Sequence, residues 1–161
     1  MNETTNSDEY WMNFALKQAE LALEKGEIPV GALIVRSNRI VGRGYNLRET
    51  LKDPTAHAEM LAITSAASTL DSWRLDDCSL YVTLEPCPMC TGAILNARIP
   101  RVVFGAYDEK AGMCGSVDNL CDQNLLNHRT IVKGGVREEE CKFLLNSFFQ
   151  TARQKDEDFS G

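Results

Sequence analysis

Apolar residues along this chain alternate between helical spacing and short continuous runs, and each change of spacing marks a boundary between elements. Met12, Ala15, Leu16, Ala19 and Leu23 form one helical face behind Ser7, whose hydroxyl suits an N-cap, and the face ends at Gly26. Two strand-like runs, Val30 to Arg36 and Ile40 to Tyr45, flank Ser37-Asn38 and predict a hairpin. A helix over 57–70, a strand over 79–84, a helix over 88–98 and a strand over 101–106 follow, the last three making a β-α-β unit. Tyr107 to Arg129 is expected to carry a short helix. At twenty-three residues this segment is too long for a tight hairpin, so the strand from Thr130 to Lys133 is expected to run parallel to its predecessor. A helix from Arg137 to about Lys155 closes the chain. The predicted fold class is α/β, a three-layer α/β/α sandwich on a mixed five-stranded sheet.

With 161 residues, 43% of them apolar, the chain suits one domain with a real core, and no linker, repeat or low-complexity block divides 1–161. Only the ends, 1–7 and 156–161, are expected to be flexible. The first thirty residues hold six acidic side chains and no apolar run of signal-peptide length, and no stretch approaches a membrane span. A cytoplasmic protein with no membrane partner is expected. Thiols stay reduced there, so Cys78, Cys114, Cys121 and Cys141, which lack metal-type spacing, read as ordinary buried thiols.

The other two cysteines belong to Pro86-Cys87-Pro88-Met89-Cys90, and upstream stands His57-Ala58-Glu59. One imidazole and two thiolates bind Zn²⁺ with the protein charge cancelling the metal's. Three protein ligands are also the count of a catalytic site, whose fourth position is left to a water acidified to a pKa of roughly 7. Residues two apart on a helix point to different sides, so a metal reached by both His57 and Glu59 must lie off the helix's first turn. Asp53-Pro54-Thr55 marks such a helix start. Pro88 suits the first position of the next helix and puts Cys87 at its N-cap, where unpaired backbone N–H groups favour a thiolate. Glu59, beside the metal but not counted as a ligand, suits a general acid/base. A lone C-x-x-C serves as often as a redox pair, and structural zinc would use the same cysteines. The upstream H-x-E and a proline on each side of Cys87 favour catalytic zinc.

Joined in this order, the two motifs resemble the signature of zinc deaminases. The longer strings are Thr83 to Ile94, Ala97-Arg98-Ile99, Val103-Phe104-Gly105-Ala106, Asp108, Lys110-Ala111-Gly112 and Asn127-His128. They resemble the bacterial tRNA-specific adenosine deaminases, over about residues 8 to 153. That resemblance implies a cytidine-deaminase-like fold, one Zn²⁺ per chain, a homodimer with sites completed across the interface, and an anticodon stem-loop as partner. The implied reaction is hydrolytic deamination of the wobble adenosine, position 34, of an arginine tRNA to inosine. Substrate-binding roles follow for Asn46, which would contact the base, for Arg48, and for the backbone around Ala58 and Leu84. Asp108, Lys110, Asn127, Phe149 and Arg153 match places where the family meets the target nucleotide or its neighbours. Plainer readings stay open for some of these: Asn46 as a turn residue closing the hairpin strand, Asp108 as a loop acid, Phe149 as core packing.

Charge runs against an RNA partner at first sight, because the chain carries a net −6 and RNA-binding surfaces are usually basic. Position changes that picture. Residues 1–27 hold six acids and two bases, residues 137–161 six acids and four bases, and the middle holds eleven of each. Arg36, Arg39, Arg43, Arg48 and Lys52 face only Glu49, a local excess that reads either as the flank of an anticodon loop or as a solvated hairpin face. The acidic ending after Arg153 departs from relatives with basic tails. The alternative function is a guanine or other free-base or nucleotide deaminase with the same zinc centre. An inactive partner subunit would have lost Glu59, and a structural zinc module would need His128 or Cys114 as a fourth ligand.

Overall fold

Ser37 and Asn38 both adopt the left-handed backbone region, with φ of 50° and 58°, as a two-residue hairpin turn matched to strand twist requires. They join β1 (Gly31–Arg36) to β2 (Arg39–Tyr45) in an antiparallel pair with one irregularity at Ile34/Val35. In this computed structural model, which describes residues 5–160, β1 also pairs antiparallel with β3 (Cys78–Leu84). From there the sheet turns parallel: β3 pairs with β4 (Arg101–Ala106), and β4 with β5 (Ile131–Lys133). The order β2-β1-β3-β4-β5 is the mixed five-stranded sheet expected, parallel last pair included.

Helices cover both faces. On one side lie α1 (Asp8–Glu24) and, after the one-turn α2 (Arg48–Leu51), α3 (Ala58–Leu70) and α4 (Pro88–Asn96) take the other, while α5 (Glu138–Phe159) returns to the face of α1. Successive strand residues point to opposite faces. Ala32, Ile34, Leu80, Val82, Val102 and Phe104 therefore join the core under α3 and α4, whereas Leu33, Val35, Tyr81 and Val103 join Trp11, Met12 and Cys141. A sheet buried on both faces explains why its central strands read as continuous apolar runs. Asp8, in the first turn of α1, locks that helix to the sheet: Arg101 donates to both its oxygens at 2.8 and 2.7 Å, Lys133 at 3.0 Å and the Tyr81 hydroxyl at 2.9 Å.

Gly42 and Gly44 show how closely α3 lies on β2. A Cβ on Gly44 would stand 2.4 Å from the Ala58 carbonyl oxygen, and one on Gly42 2.5 Å from that of Ala62. Bare strand backbone thus seats the first turns of the helix that begins beside His57.

Three details differ from the sequence expectation. The Asp53-Pro54-Thr55 segment is a turn and not the helix start: Thr55 donates its backbone N–H and its hydroxyl to Asp53 Oδ1, both at 2.8 Å, and the helix begins at Ala58 with His57 as its N-cap. The one-turn α2 has no counterpart in the predicted elements. Finally, α5 outlasts its apolar stripe and continues to Phe159, so 156–159 are helical; residues 1–4 and 161 of the expected flexible ends lie outside the described residues. The short helix expected between Tyr107 and Arg129 is the 3₁₀ turn Leu120–Asp122. Among the described residues no helix is long and apolar enough to cross a membrane.

Candidate active site

Two helix N-termini converge where β3 ends. His57 is the N-cap of α3 and Cys87 the N-cap of α4, and neither side chain makes the usual capping hydrogen bond to its own helix. Both instead turn toward a common point. His57 Nδ1 lies 3.6 Å from Cys87 Sγ and 3.5 Å from Cys90 Sγ, and the three atoms fall within 4.8 Å of one another. With Zn–S near 2.3 Å and Zn–N near 2.0–2.1 Å, a tetrahedral site has an S···N edge of about 3.6 Å. The observed spacing and the sulfur-rich donor set fit zinc. Pro88 at the first position of α4 fixes the turn that sets Cys87 one helical turn before Cys90.

The candidate fourth ligands go elsewhere. Cys114 Sγ contacts Cys121 Sγ at 3.7 Å and Thr91 Oγ1 at 3.6 Å, and His128 Nε2 faces the Ile99 carbonyl at 3.0 Å. Among the described residues the metal-type cluster therefore has three protein donors, the number that leaves a position for water.

Local electrostatics prepare the cluster for a cation. The Cys87 thiol is held at about 4, first by the hydrogen bond from the Cys90 side chain and then by His57. Cys90 is pushed up by the same contact and by burial. The hydrogen bond to Cys87 raises His57. Glu59, at the second position of α3 and 4% exposed, is raised above the ordinary carboxylate range by its removal from water. A carboxyl group that keeps a proton more readily than usual beside three metal donors is suited to proton transfer.

A cavity of about 190 Å³ opens beside the cluster. Its walls include Asn46, Arg48, Asp108, Glu59, Ala58 and Leu84, all brought together from distant parts of the sequence. Asn46 is buried, and its amide is held by the chain: Oδ1 accepts the Arg48 N–H at 3.0 Å and Nδ2 donates to the Ile28 carbonyl at 3.3 Å. One N–H and one lone pair remain for a ligand, so the residue closes the strand and lines the cavity at once. The cavity continues into a groove that shares Leu84 and Asp108 with it and reaches Lys110 and Phe149. Phe149 is 42% exposed and so is not core packing. Asn127 and Arg153 line neither space; both are exposed, and Arg153 Nε folds back onto the Phe149 carbonyl at 3.4 Å.

The basic run does not gather at the cavity. Arg36 and Arg39 flank the hairpin turn at the far end of β2, roughly 20 Å of strand from Tyr45, and Arg36 pairs with Asp77. Only Arg48 of the run lines the cavity.

Two groups of residues were not foreseen. Ile28, Val30 and Ala111 complete the cavity wall, and nothing in an apolar residue's sequence position distinguishes such a role from core packing. Glu27 is a buried carboxylate beside it, and an isolated loop acid carries no sequence signal of burial; Glu85, part of the string Thr83 to Ile94, is buried in the cavity wall itself.

Zinc deaminases set a carboxylate that is not a ligand beside a His/Cys/Cys metal and open the pair onto a base-sized pocket, and the fold and site described here fall in that class. Residues 5–106 match the model of the cytidine and deoxycytidylate deaminase zinc-binding region, and the chain belongs to this family. It is 49% identical to the tRNA-specific adenosine deaminase of Bacillus subtilis over 92% of each chain. A structure solved in work on A-to-I editing by tRNA:A34 deaminases superimposes with a TM-score of 0.79 at 39% identity, covering 84% of this chain and 99% of that one. The guanine deaminase of Bacillus subtilis also superimposes, with a TM-score of 0.61 at 42% identity over 63% of this chain and 66% of its own. The chain is thus a hydrolytic deaminase.

Proposed function

We propose that this enzyme deaminates the wobble adenosine, position 34, of an arginine tRNA to inosine, in the cytoplasm and as a homodimer. The observation that carries the reading is the open groove running on from the base-sized cavity, with Lys110 and the exposed rings of Tyr107 and Phe149 along it, while Lys142 of the same groove is paired with Glu138 at 2.8 Å. A base splayed from a single strand brings its neighbours and phosphates with it, and aromatic faces and cations are what hold them. A free base needs no such extension. The identity of 49% along 92% of a tRNA-specific adenosine deaminase supports the same substrate.

In this reading His57, Cys87 and Cys90 hold one Zn²⁺ per chain. When bound, the metal supplies a water acidified to near neutrality as the nucleophile at C6. Glu59 takes a proton from the attacking water and delivers one to the departing amine, so that adenosine and water give inosine and ammonia. Asn46 offers its free N–H and lone pair to the base, while Arg48 and Lys110 answer phosphate. Asp108 accepts from a ribose hydroxyl. Asn127 and Arg153, exposed in the single chain, would meet the flanking nucleotides.

A guanine deaminase is the second reading, favoured by the likeness to the Bacillus subtilis enzyme of that name. Purified protein assayed on an anticodon stem-loop, adenosine, guanine and cytidine separates the two. Inosine formed in the stem-loop with little turnover of the three small substrates is expected. Efficient guanine turnover with an untouched stem-loop at low salt would transfer the assignment.

A further inference from the structure

Glu27, beside the cavity, and Glu85, in its wall, are buried carboxylates that belong to neither the metal cluster nor the proton path, at 1% and 2% exposure. Among the described residues neither makes a salt bridge. Each is instead satisfied by backbone. Glu27 Oε1 accepts the Glu49 N–H at 3.0 Å and Oε2 the Thr50 N–H at 3.1 Å, which are otherwise unpaired donors at the start of α2, whose own cap residue contributes no side-chain bond. The next residue, Ile28, holds the Asn46 amide through its carbonyl. The pair Glu27-Ile28 therefore braces the whole of 46–50, the wall that carries Asn46 and Arg48.

Glu85 does the same for the other loop. Its Oε1 accepts the Asp108 N–H at 3.1 Å, and its Oε2 accepts the N–H groups of Cys114 and Ser116 at 3.1 and 3.0 Å; the Ser116 hydroxyl donates as well. Gly112 leaves room for the carboxylate, because a Cβ there would stand 2.3 Å from Glu85 Cδ. An ionised carboxylate is the side chain that accepts at both oxygens and donates at neither, which is what a cluster of inward-pointing N–H groups requires.

We propose that Glu27 and Glu85 are positioning residues: by accepting backbone hydrogen bonds they preset the two substrate-facing loops, 46–50 and 108–116, and they carry no proton in the reaction. A glutamine keeps the size of each side chain but points an N–H at an N–H, so one bond in each set is exchanged for a repulsion. The kinetic consequence rests on the reading of the cavity as the seat of an RNA base. The structural consequence does not.

Hydrogen exchange, zinc content and steady-state kinetics on the stem-loop should be measured together for Glu27→Gln and Glu85→Gln. Exchange should accelerate about tenfold or more at residues 49 and 50 in the first variant and at 108, 114 and 116 in the second, each leaving the other loop unchanged and zinc retained. KM should rise about tenfold to hundredfold with a smaller change in kcat, as expected when binding groups are displaced and the reacting ones are kept. Unchanged exchange at these amides would overturn the proposal. So would a kcat collapse with exchange and KM at wild-type values, the behaviour of a proton carrier. Faster exchange with unchanged kinetics on the stem-loop would uphold the bracing but overturn the positioning of substrate by these loops. Should a glutamine variant unfold, Glu27→Asp and Gly112→Ala carry the test, the latter by pushing Glu85 off its loop. Wild-type exchange in the named loop would again sink the idea.

Discussion

Glu59 sits where its carboxyl is out of water and two positions past His57, an environment that favours the protonated form. If it carries both proton transfers, Glu59→Gln should keep zinc and fold yet lose roughly 10²- to 10⁴-fold in kcat; near-normal turnover would remove it from the mechanism. A second residue-scale prediction concerns Asp8, whose carboxyl is held well below its ordinary value of 3.8, chiefly by Arg101. A depressed folded-state value adds stability that is complete above the unfolded value and is lost as the pH falls toward the folded one. Asp8→Asn should cost about 1–3 kcal/mol at pH 7, measured by urea unfolding, and the gap from wild type should shrink below about pH 4. A gap independent of pH would contradict the assignment. Chemistry-bearing residues of this kind differ in how legible they are. His57, Cys87 and Cys90 could be read from spacing because a metal demands particular donors. Glu27 could not, since burial of a loop acid depends on which distant N–H groups surround it.

At the scale of elements, periodicity carried most of the fold because nearly every helix and strand buries a defined face. The exceptions are informative. The one-turn α2 buries no residue and is held by Glu27, so no apolar pattern announces it. The Asp53-Pro54-Thr55 turn imitates a helix start because aspartate bonding to the backbone two residues on serves turns as well as caps. The seating of α3 on β2 allows a direct test. Gly44→Ala places a methyl against the Ala58 carbonyl, so α3 must lift, at a cost of about 1–3 kcal/mol. Because His57 caps that helix, zinc should also bind more weakly, as competition with a chelator would reveal. Lower stability with undiminished zinc affinity would mean that the helix start moves independently of β2.

For the whole molecule, the charges at the site are mixed: Arg48 lines the cavity, while Lys110 and Lys142 share the groove with Asp108, Glu109 and Glu138. Stem-loop binding should weaken with added salt, since phosphate contacts release counterions, and Arg48→Ala should bind more weakly with a shallower salt slope. A salt-independent affinity would argue for a small uncharged substrate. Sedimentation at assay concentrations should give twice the 17.9 kDa chain mass; an active monomer would exclude sites completed across an interface. The central claim is tested most directly by position-resolved sequencing of a full-length arginine tRNA transcript with adenosine at 34, after incubation with the zinc-loaded protein. Inosine should appear at position 34 and at no other adenosine, and not with Glu59→Gln. Adenosine intact at 34 under conditions where the same preparation deaminates guanine would contradict the account.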